Sequence, residues 1–250
     1  AWVGTDQSVE AVQVTEWSEP QTVIGSHLHR IVYPDFYEKH QQKSKQLETG
    51  HRHRSGKVSC LQLRGEYLFA AAGGKGMVVY DVAGIANKGI SQRIITAPSS
   101  KRGHNTTIDS ENATCLSLIT TQPIAPERNQ GELMRVINEE KPFHPIYNYA
   151  VITDSVEGII LTDIGTLADG EPRNNFLTRA LTWNEGGVLN GARDIAVGGR
   201  YAYIIADAGL VVVNLDDPLN PKHLATVPLV SGRSVVQQFR YLFVTDSDGL

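Results

Sequence analysis

The sequence predicts an all-β chain built as a β-propeller, and three observations carry that expectation. A strand-rich unit recurs along the chain, its uninterrupted period is 40 residues, and its central strands are apolar on nearly every residue. The unit is an aromatic-led apolar strand, a polar turn with Asp or Gly, and a strand dense in Val and Ile. It reads YLFAAAGGKGMVVYDV over residues 67–82, YNYAVITDSVEGIILTDI from Tyr147 to Ile164, and YAYIIADAGLVVVNL from Tyr201 to Leu215. YLFVTDSDGL, from Tyr241 to Leu250, is a partial copy, and AWVGTDQSVEAVQV, from Ala1 to Val14, is another.

Each element of the unit has its own signal. A shorter run precedes the aromatic strand: Val58–Leu63, Ala113–Ile119, Ala192–Val197 and Ser234–Phe239. A polar turn and a further β-rich run follow the valine-rich strand, at Ser91–Ala97, Phe176–Trp183 and His223–Leu229. The unit is therefore four short strands. Tyr201 and Tyr241 lie 40 residues apart, against 52 for Tyr149 to Tyr201, 82 for Tyr67 to Tyr149 and 65 for Trp2 to Tyr67, so the excess falls in insertions. VVVNL, MVVYDV and GIILTDI do not alternate polar with apolar, as a sandwich strand exposed on one face would. Strands apolar throughout need both faces covered, and blades stacked around an axis supply that cover.

The first copy lacks its opening strand and the last lacks its third and fourth. Residues 1–250 thus read as one β-propeller domain or part of one, about four blade equivalents of a ring that takes roughly four to eight, and as a segment of a longer chain. The absence of an initiator Met fits that expectation, and no signal peptide is seen at the start.

The stretch from Ala196 to Val227 resembles the LVIVD repeat, a bacterial and archaeal propeller repeat. Tyr201, Gly209-Leu210, Val211–Val213, Asp216-Asp217-Pro218 and Pro221 match its pattern in order. Asn214 stands where the repeat usually has Asp, Asp81 and Asp163 keep the acid in other copies, and Met77 and Ile159 replace the leucine. The resemblance implies a scaffold or binding surface with no catalytic set. It also implies a secreted or envelope-associated setting, in which such repeats are modules of larger chains that also carry cytochrome domains.

Composition excludes several classes. The hydrophobic fraction is 41% and the charged fraction 20%, which suits a packed core and not a disordered chain. A net charge of −4 gives no general attraction to nucleic acid, and no apolar run is long enough to span a bilayer.

Two insertions, about residues 16–56 and 97–146, are where specificity is expected. In the first, Asp35 with Glu38 forms a capping box and Gly50 can close a helix whose Phe36, His40 and Leu47 share a face, a candidate docking surface for a protein partner. Two His-x-His pairs flank it, His27/His29 and His51/His53; alternate residues of a strand share a face, so each pair could offer two imidazoles to a metal or approach a partner's haem. Arg30, Arg52 and Arg54 oppose a cation there, and no Cys-x-x-Cys-His motif attaches a c-type haem. No other motif encodes a cofactor. In the second insertion, Asn105 and Asn112 head glycosylation sequons in form only.

Cys60 and Cys115 occupy the same point of the opening strand, where Asp194 and Ser234 sit in other copies. Equivalent positions in different blades are expected to lie too far apart to bond, leaving buried thiols. Gly73-Gly74-Lys75-Gly76 and Asp246-Ser247-Asp248-Gly249 read as hairpin turns, not as phosphate or calcium loops. Asp6, Asp154 and Asp246 recur after the aromatic strand and are expected to cap turn amides. The sequence thus predicts a non-catalytic interaction module outside the cytoplasm. Two alternatives stand beside it: the propeller portion of a redox or metal-dependent enzyme, or a carbohydrate-binding propeller stacking sugars on Trp2, Trp17 or Trp183.

Overall fold

The computed structural model describes residues 2–4, 8–13, 21–27, 56–82, 107–119, 144–168 and 177–249. Every sheet in them is antiparallel and none exceeds four strands. The first sheet is β1 (Trp2–Gly4), β2 (Ser8–Gln13) and β3 (Gln21–His27). The second is β4 (Cys60–Arg64), β5 (Tyr67–Ala71), β6 (Met77–Asp81) and β7 (Thr107–Ile108). The third runs β8 (Ala113–Leu118), β9 (Tyr149–Asp154), β10 (Gly158–Asp163) and β11 (Thr178–Trp183). The fourth runs β12 (Asp194–Gly198), β13 (Tyr201–Ala206), β14 (Gly209–Asn214) and β15 (Lys222–Val227), and β16 (Ser234–Gln238) with β17 (Tyr241–Thr245) begins the fifth.

The valine-rich strands β6, β10 and β14 belong to three separate sheets, and neighbouring sheets meet along their first strands, β4 on β8, β8 on β12 and β12 on β16. That is the arrangement of propeller blades, each short sheet handing its two apolar faces to its neighbours. Side-chain alternation decides which neighbour. Val151 and Leu161 pack toward Ala202, Ile204, Val211 and Val213 of the fourth sheet. Ala150, Ile152 and Ile160, one residue out of phase, pack toward Phe69, Ala71, Met77 and Val79 of the second. The runs look non-alternating because both phases are core.

The hairpins and caps follow local chemistry. Gly76, Gly158 and Gly209 each open a third strand with positive φ, and each faces a backbone carbonyl so closely that a Cβ would strike it: that of Ile108, Trp183 or Val227. The Asp154 carboxylate accepts from the amides of Val156 at 2.7 Å, Glu157 at 2.9 Å and Asn112 at 2.6 Å, and Asp246 accepts from Asp248 at 2.8 Å, as capping requires. Asp6 lies outside the described residues. Asp163 accepts from the Gly165 amide at 2.8 Å and Asn214 from Asp216 at 2.8 Å, so the Asn that replaces the acid holds the same turn. The Gly73–Gly76 segment is a hairpin turn, with Lys75 N–H donating to Ala72 and Gly76 N–H to Gly73.

Thr107–Ile108 forms an outer strand of the second sheet, pairing Met77 with Ile108, and the run Ser91–Ala97 lies outside the described residues. Two expectations are corrected. Residues 21–27, read as inserted, form the outer strand of the first sheet, in register from Ser8–His27 to Gln13–Gln21. Cys60 and Cys115 are joined in a disulfide with Cα atoms 4.8 Å apart, instead of being buried thiols. The reason is geometric: neighbouring first strands run side by side where the blades converge, so equivalent positions come within bonding reach.

Candidate functional site

The described polar chemistry concentrates where first strands begin and second-to-third-strand hairpins turn. Residues of the second strands give a common frame. Cys60, Cys115, Asp194 and Ser234 each pair with the fifth residue of their neighbouring strand, Ala71, Thr153, Ile205 and Thr245. At this tier one junction is covalent, Cys60 to Cys115, and another is a carboxylate clasp. Asp194 Oδ2 accepts from the Val235 amide at 2.9 Å and from the Ser234 hydroxyl. Two residues further on, the Gln62 carboxamide accepts from the Leu118 amide at 2.6 Å and donates to its carbonyl at 3.2 Å, acting as a single rung of backbone between two sheets. Ser117 Oγ accepts from the Val197 amide at 3.3 Å, and Thr114 Oγ1 donates to the Ala192 carbonyl at 2.9 Å. Arg64 donates to the Tyr147 carbonyl at 2.9 Å, and burial lowers its pKa.

Beside the disulfide, between the second and third sheets, lies an open depression of about 410 Å³ lined by Gly56, Lys57, Ser59, Gly73, Gly74, Asn112, Ala113 and Thr114. The Lys75 side chain lies against Gly56, and desolvation lowers its ammonium pKa. No carboxylate, imidazole or thiol is among the lining residues. Its polar groups are also engaged: Asn112 Nδ2 donates to Ser155 Oγ at 2.8 Å, and the Ser59 hydroxyl donates to the Thr114 carbonyl. Such a surface suits contact with a polar group.

One histidine resembles part of a catalytic pair and is not one. His144 Nε2 lies 3.1 Å from Asp216 Oδ1, and its Nδ1 accepts from the Ile146 amide at 3.1 Å. That acceptance places the ring proton on Nε2, donated to Asp216, so neither nitrogen is left to take a substrate proton. The arrangement pins the short 3₁₀ turn Pro145–Asn148 to the turn between β14 and β15. Among the described residues no group of three His, Cys, Asp or Glu side chains is placed to hold a metal.

Of the candidate site residues, His27 closes β3, and nothing is described of its side chain. His29, His51 and His53, and the helix face of Phe36, His40 and Leu47, lie outside the described residues. Trp183 pairs with Ile159 and is partly buried against the third-to-fourth junction, so its ring serves packing. Sequence reasoning missed the Gln62, Ser117 and Asp194 clasps. Their signal was present as polar residues inside first strands otherwise apolar, where a buried polar group must find a partner.

The LVIVD repeat family model matches residues 55–92 and 191–226. The chain carries LVIVD repeats. The two matched segments hold β4 to β6 of the second sheet and β12 to β15 of the fourth, the latter almost whole. The LVIVD repeats thus lie on either side of the third sheet, which the model does not match but which keeps the same strand order, opening glycine and capping acid. No curated protein matches the chain.

Proposed function

We propose that this β-propeller is a non-catalytic interaction module working outside the cytoplasm, within an envelope or extracellular assembly of a bacterium. The observation that carries the reading is how the polar side chains at the blade junctions are used. Gln62, Thr114, Ser117, Asp154 and Asp194 each hold backbone of a neighbouring strand or turn. Rigid blades with their chemistry spent on their own framework suit the presentation of loops to a partner.

The Cys60–Cys115 bridge supports the compartment, since disulfides persist in oxidising surroundings and are rare where glutathione keeps thiols reduced. LVIVD repeats are known from extracellular bacterial proteins, which favours the same setting. Among the described residues no helix is long and apolar enough to cross a membrane. The proposed partner contact is the helix read over residues 35–50, through Phe36, His40 and Leu47.

Metal analysis and absorption spectroscopy of the natively purified protein test the reading. The expected result is no stoichiometric metal and no haem band. Bound copper, zinc or haem, lost in a His27→Ala/His29→Ala or His51→Ala/His53→Ala variant, would overturn it in favour of a redox or metal-dependent role.

A further inference from the structure

We propose that the tip of the β16–β17 hairpin is a membrane-docking element: the Phe239 ring enters the headgroup layer of an anionic lipid surface, and Arg240 and Arg200 beside it hold lipid phosphates. Docking of this kind goes beyond the protein contact proposed above and does not involve the helix read over residues 35–50.

The hairpins that join first and second strands turn over two residues. Their closing pairs are Arg64 with Tyr67, Gly198 with Tyr201 and Gln238 with Tyr241, which leaves Gly65-Glu66, Gly199-Arg200 and Phe239-Arg240 as the turns. The first turn residue has left-handed backbone in all three, with φ of 57°, 63° and 54°. Two hairpins meet that demand with glycine and the third with phenylalanine. Glycine suits this backbone best, and a bulky ring is badly suited to it. The ring gains no packing in return, since Phe239 is 86% exposed. It strains its own turn and shows an apolar surface to water, and outliers of that kind gather where a contact is made.

The exposure belongs to the turn. The third sheet lies against the second, yet a Cβ at Gly65 would meet nothing within 4 Å. A side chain at this position points clear of the blades even where a neighbouring blade is in place.

Charge and shape select the occupant. From Ser234 to Thr245 the hairpin holds Arg240 and no acid. The Arg240 guanidinium lies 5.6 Å from the centre of the Tyr241 ring, and at the same place in the fourth sheet Arg200 lies 5.4 Å from that of Tyr201. Lys222 opens β15 at this end, and Leu219, 53% exposed in the turn before it, adds a second apolar tip. Asp216 lies 3.9 Å from Arg200 but also accepts from His144, and Asp217 accepts from the Leu219 amide at 3.2 Å. The opposite end, where second strands turn into third strands, carries Glu157, Asp207, Asp246 and Asp248 and is repelled by an anionic surface. Convex tips are poor seats for a peptide, whereas a headgroup layer asks only for apolar points collared by cations.

Flotation of the whole 250-residue chain with lipid vesicles tests this. It is expected to bind phosphatidylcholine vesicles that carry phosphatidylglycerol, to ignore pure phosphatidylcholine, and to be released as salt rises. Phe239→Gly should weaken binding about tenfold, the order that burying one aromatic ring supplies. Its guanidinium midpoint should hold or rise, because glycine fits the turn. Phe239→Trp should keep binding, and Arg240→Glu should erase the preference for phosphatidylglycerol. Absence of flotation, equal binding to both vesicles, or undiminished binding by Phe239→Gly would overturn the proposal. So would a lowered midpoint in Phe239→Gly, which makes the ring a part of the packed fold. Polyglutamate bound as tightly as the vesicles would make an acidic polypeptide the occupant, and a sedimenting dimer split by Phe239→Gly would make it a second copy; either result removes the lipid assignment.

Discussion

The junction between the second and third sheets and the junction between the fourth and fifth use one tier of positions in two chemistries. The first is a covalent bridge, Cys60 to Cys115, backed by the Gln62 carboxamide on Leu118. The second is a carboxylate, Asp194, gripping Ser234 and Val235. The difference teaches that the tier is a fastening site whatever residue fills it. Cys, Asp or Ser serves, provided its neighbour answers.

The sharpest way to break that comparison is to open the disulfide. Cys60 and Cys115 are 55 residues apart, a loop whose closure confines the unfolded chain by about 4 kcal/mol in the chain-entropy picture. Cys60→Ser or Cys115→Ser is expected to cost that order of stability in guanidinium unfolding. Reductant should reproduce the loss in the parent protein and leave the variants unchanged. The glycine that opens each third strand comes next. Gly158→Ala or Gly209→Ala forces a side chain into left-handed backbone against a carbonyl and should cost about 2–3 kcal/mol in the same assay. Equal losses would show that a sheet matched by the family model and one that is not rest on the same device.

Smaller effects refine the contrast. Asp194→Ala leaves the Val235 amide without its acceptor and should cost about 1–3 kcal/mol. Hydrogen exchange should quicken across β16 and β17 while the second sheet holds. Gln62→Ala should cost about 1 kcal/mol with the disulfide closed and more once it is reduced, because the two fastenings share one junction. Smallest is Tyr80. Its hydroxyl is buried with no hydrogen-bond partner among the described residues, and burial pushes the phenol well above its usual value. The folded state therefore holds that proton more tightly than the unfolded chain. Stability is intact below about pH 10 and falls as pH climbs past the unfolded phenol. Tyr80→Phe should be neutral or stabilising within about 1 kcal/mol at pH 7 and should blunt the alkaline loss, as pH-dependent unfolding would show.

The blades were legible because repetition makes strand order readable. Tyr67, Tyr149, Tyr201 and Tyr241 mark the second strands, and the runs after the first three that seemed to lack alternation signalled two buried faces. The short partners were not legible. Thr107–Ile108 pairs over two residues only, too few for any periodicity. Gln21–His27 was obscured by the helix signal that follows it. The disulfide escaped because separation along the chain says nothing about convergence of first strands. The clasps escaped because a lone Gln or Asp in a strand names no partner. The His-x-His pairs rest on sequence still.

One detail of the ladders has a wider meaning. In the first, third and fourth sheets the outer strand slips by one residue at the same place, beside Ala11/Val12, Leu161/Thr162 and Val212/Val213. A bulge there breaks the regular row of amides and carbonyls that an outermost strand would otherwise show to solvent. An intact row invites strand addition from any passing chain, the first step toward aggregation. The irregularity is therefore a guard built into those three rims, keeping blades that are sticky on their flat faces from becoming sticky on their edges as well.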